Sequence, residues 1–160
     1  MLKVFLNYQE LNIHDLFMVY EESLQMNADQ KGAAIIQAED EFSSYLEEVF
    51  FCSPGAFYAI WTENNRYVSA LRMEPFEDGF LLSGLETASN ERNKGYATKL
   101  LQAVVEYATD TNRLPIYSHI HKRNAVSLAL HLKCGFTLFR DCGRLIDGTV
   151  SGNYYTLKWN

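Results

Sequence analysis

The sequence predicts a domain of the α/β or α+β class with a mixed β-sheet, and three observations support this fold class. Two helical segments follow a short first strand. Three strands joined by tight turns at residues 63–65 and 78–79 come next. Two further helices, each bordered by strands, complete the order.

The composition is that of an ordinary globular protein. The 160 residues suffice for a single domain over residues 1–160 that buries a core without disulfides or metals. Apolar residues make up 48% and charged residues 21%, which argues against disorder. The chain has 14 lysines and arginines and 20 acidic residues, which gives a formal net charge of −6. We therefore expect no nucleic-acid partner. No apolar run approaches the about 20 residues that span a bilayer, so we expect no membrane partner.

The cysteines indicate the compartment. Cys52, Cys134 and Cys142 are an odd number at uneven spacing, and the N-terminal residues lack the pattern of a secretory signal. The sequence therefore predicts reduced thiols and a cytoplasmic location.

The N-terminal third is expected to hold one strand and two helices. Apolar residues alternate over residues 2–6, as in a strand. Asn12 is a suitable N-cap for a helix that ends before a loop at residues 27–32. A second helix is expected over residues 35–49, stopped by the Ser-Pro-Gly sequence at 53–55.

The rest of the chain alternates between strand and helix periods. Strands are expected at residues 56–62, 66–73, 80–87 and 116–121, and a final hairpin at 136–140 and 154–159. An amphipathic helix follows Gly95, and a second helix begins at Asn124 and ends near Gly135.

The most informative segment is the polar turn that leads into the helix after Gly95. The first N–H groups of a helix have no intrahelical partner and lie at the positive end of its dipole. Gly95 and Ala97 would let a phosphate approach these groups, and Arg92 and Lys94 add positive charge. The same pattern also fits an ordinary strand-to-helix turn. Neither the P-loop pattern nor the dinucleotide pattern G-x-G-x-x-G is present, which disfavours a nucleotide triphosphatase and a dinucleotide-binding fold.

A second segment, one strand downstream, matches a second motif in register with the first. The turn fits the pattern Q/R-x-x-G-x-G/A through Arg92, Gly95 and Ala97. The later segment roughly fits N-x-x-A/S-x-x-L-Y-x-x-x-G-F through Asn124, Ser127, Leu130, Gly135 and Phe136. Over about residues 80–136 the chain therefore resembles the GCN5-related N-acetyltransferase (GNAT) superfamily. The resemblance implies a mixed, mostly antiparallel sheet of about six to seven strands flanked by about four helices.

The resemblance also implies a chemistry and a set of contacts. Relatives bind acetyl-CoA as co-substrate, without a metal, and pass its acetyl group directly to a primary amine. The turn amides would hold the pyrophosphate, and the main chain of residues 85–87 would pair with the pantetheine arm and face the thioester oxygen. By position, the cofactor-binding residues would be Leu85, Glu86, Thr87, Arg92, Asn93, Lys94, Gly95, Tyr96, Ala97, Thr98, Asn124 and Ser127.

His131 stands where the superfamily usually has a tyrosine that protonates the departing thiolate. A protonated histidine could take this role, and its ordinary pKa of about 6.5 would make the reaction sensitive to pH. A thiol with a pKa of about 8.5 also leaves readily without an acid. His131 would then be a partly exposed helix residue that contacts cofactor or substrate. The missing tyrosine also leaves open a non-catalytic acyl-CoA sensor.

A base is needed because an acceptor amine, with a pKa of about 10.4, is mostly protonated at neutral pH. His119, five residues before Asn124, holds the position of a carboxylate base in relatives that acetylate N-terminal amines. Glu86 is the second candidate. His119 could also join His121, His131 and Cys134 in a zinc site, but their spacing matches no known finger.

The acceptor is the least specified part. The resemblance implies that about residues 24–36 help to form its site. Acidic and aromatic side chains could receive a cationic amine, namely Glu39, Asp40, Glu41, Glu74, Glu77, Asp78, Tyr45, Tyr58, Trp61 and Phe76. A polyamine, an aminoglycoside, a small amine metabolite and a peptide N-terminus all remain open. Because relatives often form dimers and the last hairpin has an exposed edge, a homodimer is a further option.

Overall fold

The chain folds around a seven-stranded sheet in the computed structural model, which describes residues 1–145 and 147–160. The sheet strands are β1 (Leu2–Phe5), β2 (Phe57–Glu63), β3 (Arg66–Phe76), β4 (Gly79–Thr87), β5 (Ile116–His121), β6 (Thr137–Arg140) and β9 (Tyr154–Trp159). A small ribbon is formed by β7 (Gly143–Arg144) and β8 (Val150–Ser151). The helices are α1 (Ile13–Val19), α2 (Glu21–Lys31), α3 (Ile35–Tyr45), α4 (Tyr96–Asp110) and α5 (Ala125–Lys133). The predicted mixed, mostly antiparallel sheet is confirmed, with the order β1-β2-β3-β4-β5-β9-β6.

The N-terminal helices differ from the prediction in one respect. The Asn12 side chain accepts a hydrogen bond from the Asp15 N–H at 3.3 Å, so the predicted cap of α1 is confirmed. The helix breaks at Tyr20, however, and α2 continues through the residues expected to be a loop. Leu24 and Ala28 are both buried on one side of α2, so Asn27 and the polar residues 29–31 are the solvent face of a helix and not a loop. Among the described residues, the split brings the number of α-helices to five.

Both faces of the central strands are covered, because successive strand side chains point to opposite faces. Leu71 and Met73 of β3 are buried in the cluster that α4 packs on. Tyr58 and Ile60 of β2 are buried on the opposite face, in the cluster formed with α1, α2 and α3. Strands covered in this way are apolar throughout, as residues 56–73 largely are.

The sheet opens in its middle, where β4 and β5 separate. β4 pairs in parallel with β5 only over residues 80–82 and 116–118. On its other edge β4 pairs with β3 through a β-bulge at Gly84, whose φ is 61°. The bulge increases the local twist. On the side of β4 that faces β5, the end of the strand from Ser83 to Thr87 therefore pairs with no other strand among the described residues.

The C-terminal strands pair as predicted, although they are not consecutive. Thr137 of β6 lies opposite Lys158 of β9, and β9 fills the space between β5 and β6. The β7–β8 ribbon occupies part of the connection. α5 ends before Gly135, whose φ of 91° is the left-handed conformation expected after a helix.

Cys52, Cys134 and Cys142 are free cysteines. Among the described residues, no helix has the length and apolar character that a bilayer crossing requires.

Candidate functional site

A cavity of about 420 Å³ lies beside the open edge of β4. It is walled by the end of β4, the turn before α4 and the first turns of α4 and α5. Its lining residues are Leu85, Glu86, Thr87, Glu91, Arg92, Asn93, Gly95, Tyr96, Ala97, Thr98, Asn124, Val126, Ser127 and Leu130. The structure thus brings together every residue expected to contact a cofactor except Lys94, while their role in binding stays a prediction.

The turn before α4 has room for an anionic group. Gly95 precedes the helix with a φ of 80°, and no side chain caps the helix. A Cβ atom on Gly95 would meet nothing within 4 Å. The N–H groups of the first turn therefore lie next to open space at the positive end of the helix dipole.

Both basic residues of this turn are already paired. An Arg92 Nη2 lies 2.7 Å from Glu22 Oε2 of α2, and Arg92 Nε donates to the Thr87 carbonyl at 3.2 Å. The Lys94 Nζ donates to Glu91 Oε2 at 2.8 Å, and this hydrogen bond raises the pKa of Lys94. A polyanion would have to compete with these carboxylates for the two cations.

The opposite wall of the cavity begins with Asn124. Its Oδ1 accepts a hydrogen bond from the Ser127 N–H at 3.0 Å and so caps α5. Asn124 and Ser127 of the second motif therefore share a local structural role at the point where α5 meets the cavity.

His131 is buried inside the protein, with only 1% of its surface exposed, so the expectation of a partly exposed residue is wrong. Its Nδ1 lies 2.8 Å from the Ser127 carbonyl oxygen, which can only accept, so Nδ1 carries a proton. Its Nε2 lies 3.2 Å from the Ser118 hydroxyl, which can donate to it. Burial lowers the pKa of His131, which favours the neutral ring. With both nitrogens engaged internally, the geometry argues against His131 as the acid.

His119 lies on the opposite face of β5 from Ser118 and lines neither this cavity nor the second one described below. It is half-buried edge-on against Phe76, with ring centroids 5.4 Å apart. Its Nε2 is buried and has no hydrogen-bond partner among the described residues. Burial lowers the pKa of this ring as well. The structure therefore does not bring the first candidate base to the cavity.

Glu86, the second candidate base, lines a further cavity of about 330 Å³ between α2, α3 and the bulged part of the sheet. One carboxylate oxygen of Glu86 accepts a hydrogen bond from the Ser23 hydroxyl at 2.5 Å. Burial raises the pKa of this carboxyl group. Glu86 is thus a desolvated carboxylate at the boundary of two cavities.

The second cavity is mostly apolar and aromatic. It is lined by Tyr20, Ser23, Leu24, Asn27, Ala38, Glu41, Phe42, Tyr45, Arg72, Gly84 and Glu86. Leu24 and Asn27 fall in the segment expected to form an acceptor site. Of the acidic and aromatic side chains named from the sequence for an amine, only Glu41 and Tyr45 line it.

Sequence reasoning missed Arg72 and Tyr20 in this cavity. The available signal for Arg72 was a charged residue between Leu71 and Met73 in an otherwise apolar strand. No local signal marks Tyr20, whose hydroxyl donates to the Gly84 carbonyl at 2.5 Å, 64 residues along the chain.

Within residues 1–145 and 147–160, no group of three or more His, Cys, Asp or Glu side chains is arranged to hold a metal ion. His119 and His131, two members of the zinc pattern considered above, are directed to opposite faces of the sheet.

A sequence profile of the acetyltransferase (GNAT) family matches residues 15–136. The chain belongs to this family. No curated protein is similar enough in sequence to match.

Several solved GNAT structures share the fold. The PaiA N-acetyltransferase from Thermoplasma acidophilum, in complex with coenzyme A, aligns with a TM-score of 0.68 at 12% identity, over 99% of this chain and 98% of its own. The ribosomal-protein-S18-alanine N-acetyltransferase from Escherichia coli aligns with a TM-score of 0.62 at 14% identity, over 99% and 92%. A GNAT acetyltransferase from Elizabethkingia anophelis with acetyl-CoA bound aligns with a TM-score of 0.57 at 15% identity, over 69% and 78%. At these identities the likeness shows the GNAT fold.

Proposed function

We propose that this GNAT protein is an N-acetyltransferase that moves an acetyl group from acetyl-CoA to a primary amine by direct attack. The observation that carries the proposal is that Glu86 lines both cavities, so a candidate base stands between two candidate ligand sites. Family membership supports acetyl transfer. Similar structures that hold coenzyme A or acetyl-CoA support the choice of co-substrate.

The larger cavity is the proposed site of acetyl-CoA, which supplies the acetyl group as a thioester. The open space at Gly95 and the uncapped first turn of α4 suit its pyrophosphate. Arg92 and Lys94 would add charge by leaving Glu22 and Glu91. The open edge of residues 85–87 offers main-chain groups to the pantetheine arm, and one N–H there would stabilise the oxyanion. The proposal needs no metal.

The smaller cavity is the proposed acceptor site, and Glu86 is the proposed base. Its carboxylate would hold the ammonium form of the acceptor and take one proton from it, and the neutral amine would then attack the thioester carbonyl. The nitrogen would lose its second proton to solvent as the tetrahedral intermediate collapses. The raised pKa of Glu86 makes it a better base than an exposed carboxylate. The C–S bond then breaks. With a thiol pKa of about 8.5, the thiolate leaves without a protein acid and takes its proton from solvent.

A second function has one observation in its favour. His131 replaces the usual tyrosine and is buried, so the protein could instead bind acyl-CoA without catalysis, as a sensor. Both functions require the same cofactor site, and they differ only in whether an amine is consumed.

The first experiment is a thermal melt with acetyl-CoA, with NADPH and ATP as controls. A ligand at about 100 times its dissociation constant stabilises a fold by about 2.7 kcal/mol. A rise in melting temperature with acetyl-CoA alone supports the cofactor site, and release of CoA with an amine panel then separates the enzyme from the sensor. No rise in a folded sample rejects both functions.

We also propose that the protein acts in the cytoplasm as a single domain, and that a homodimer is its assembly. Sedimentation of the purified protein would give the mass that tests the dimer.

A further inference from the structure

We propose that the acceptor is an amino acid, with a carboxylate close to its amine, and that Arg72 in the smaller cavity binds this carboxylate. The inference rests on the proposed function and names the chemical class of its acceptor. The aromatic and apolar lining of the cavity favours an amino acid with an apolar or aromatic side chain.

The position of Arg72 is fixed by the bulged sheet. Arg72 lies opposite Ser83 in the β3–β4 pairing, and its guanidinium sits over the Tyr45 ring, 5.4 Å from the centroid. It also packs against Gly84, where a Cβ atom would lie 3.1 Å from both Nε and Nη2. Glycine at the bulge therefore makes room for this side chain.

Arg72 carries a positive charge and has an unpaired hydrogen-bond donor, as a ligand-binding residue would. Its Nε is buried without a hydrogen-bond partner, and no carboxylate lies within 4 Å of it among the described residues. Glu74 and Glu86 influence it only at longer range. A half-buried cation without a carboxylate partner is incompletely compensated, and the guanidinium fork matches a carboxylate with two parallel hydrogen bonds. An anionic group on the ligand would supply the missing partner.

The other charges around the cavity agree with a ligand that carries both signs. Glu41 is already neutralised by Lys31, whose Nζ lies 2.5 Å from its Oε2. Glu86 and Arg72 remain as the acidic and basic groups of the lining. A polyamine would place a second cation beside Arg72, which like-charge repulsion disfavours.

The spacing of these two residues sets the size of the ligand. Ala70 lies opposite Glu86, and Arg72 lies two residues further along β3. Two residues of a strand span about 7 Å, and both side chains line the same cavity. A ligand that meets both groups therefore has its amine and its carboxylate close together, as in an amino acid.

The test compares acceptors that differ only in the carboxylate. CoA release is measured with phenylalanine, tyrosine, leucine and methionine and with the amide of each. We expect kcat/KM to be at least about 10-fold higher for one of the acids than for its amide, since a hydrogen bond to a charged group contributes about 1.5–3 kcal/mol. In Arg72→Gln this preference should vanish through a rise in KM for the acid, with KM for the amide unchanged. Arg66→Gln, at the exposed start of β3, is the matched control and should keep the preference.

Each other outcome has a defined meaning. Equal or better use of the amides by the wild type overturns the assignment, and so does the absence of CoA release from every acid in a protein that acetyl-CoA still stabilises. If acetyl-CoA itself fails to stabilise the protein, the proposed function is what fails. Should Arg72→Gln not fold, Arg72→Lys keeps the charge without the fork, and an unchanged acid-to-amide ratio there would contradict bidentate binding.

Discussion

The Ser118 hydroxyl of β5 and the His131 ring of α5 are 3.2 Å apart in the interior. By its position in the second motif, His131 stands where GNAT enzymes usually have a tyrosine. The contact joins a strand and a helix beside the larger cavity. Because the Ser127 carbonyl accepts from Nδ1, both ring nitrogens of His131 are engaged within the fold.

This arrangement predicts how stability depends on pH. Burial lowers the pKa of His131 in the folded protein, whereas an unfolded histidine binds a proton near pH 6.5. Falling pH therefore favours the unfolded state, and the free energy of unfolding should decrease below about pH 6.5. Urea unfolding from pH 7.5 to 5 should show a shallower dependence in His131→Gln, by up to about 1.4 kcal/mol per pH unit. His14→Gln, on the exposed side of α1, should keep the wild-type slope, and an unchanged slope in His131→Gln would mean that the ring binds a proton as readily in the folded protein as in the unfolded one.

The base assignment predicts the effect of removing one carboxylate. Glu86→Gln should lower kcat by about 100-fold or more, the usual contribution of general base catalysis. Stabilisation by acetyl-CoA should persist, because the proposed contacts at that position are made by the main chain. Burial raises the pKa of Glu86, so this base becomes protonated at a higher pH than an ordinary glutamate. As the pH is lowered, wild-type kcat should therefore begin to fall at that higher pH. Glu106→Gln, on the exposed side of α4, serves as control. If kcat is the same in wild type and Glu86→Gln, Glu86 is not the base, and His119 is the remaining candidate named from the sequence.

The proposed acetyl-CoA site in the larger cavity predicts a steric block. Ala97 lies in the first turn of α4 and lines the cavity, so Ala97→Trp should fill the space next to the helix N-terminus. The rise in melting temperature caused by acetyl-CoA should be lost, while the protein without ligand remains folded. Gln102→Trp places the same ring on the exposed side of the same helix and should respond like the wild type. If Ala97→Trp still responds fully to acetyl-CoA, the ligand binds elsewhere.

The bulge predicts a coupled effect on stability and on the acceptor. Gly84 has a φ of 61°, which costs a residue with a side chain about 1–2 kcal/mol, and a Cβ atom there would press on Arg72. Gly84→Ala should therefore lower the free energy of unfolding and raise KM for the acceptor. Gly152→Ala is a suitable comparison, because its Cβ atom would meet nothing within 4 Å and we expect a change within about 0.5 kcal/mol. If the acceptor KM is the same in Gly84→Ala and wild type, Arg72 does not take part in acceptor binding.

The sequence predicts the local elements well and the long-range contacts poorly. The strands from β2 to β5, the cap at Asn12 and the left-handed Gly135 all follow from period and turn chemistry. The break at Tyr20 does not, because it depends on partners on β2 and β4: the Tyr58 hydroxyl donates to that of Tyr20 at 2.8 Å, and Tyr20 donates to Gly84.

In the candidate site, too, the sequence predicts local features well and long-range contacts poorly. The matched motif residues Arg92, Gly95, Ala97, Asn124, Ser127 and Leu130 line one cavity, since motif spacing reflects how a turn and a helix start are built. Gly135 and Phe136 of the second motif do not line it. The state of His131 depends on Ser118 of another element, and the period of β5 alone does not show that the two meet. The sequence names Glu86 only as the second candidate base, because its place between two cavities depends on how α2 and α3 pack beside the sheet.

The ion pair between Arg92 and Glu22 has a consequence for the order of events at the site. Arg92 belongs to the wall of the larger cavity, and Glu22 belongs to α2, which walls the smaller one. A phosphate that drew Arg92 away would release a constraint on α2, so we expect occupancy of one cavity to change the affinity of the other by the same factor in both directions. Because exposed ion pairs contribute at most about 1 kcal/mol, this reciprocal effect is limited to about 5-fold.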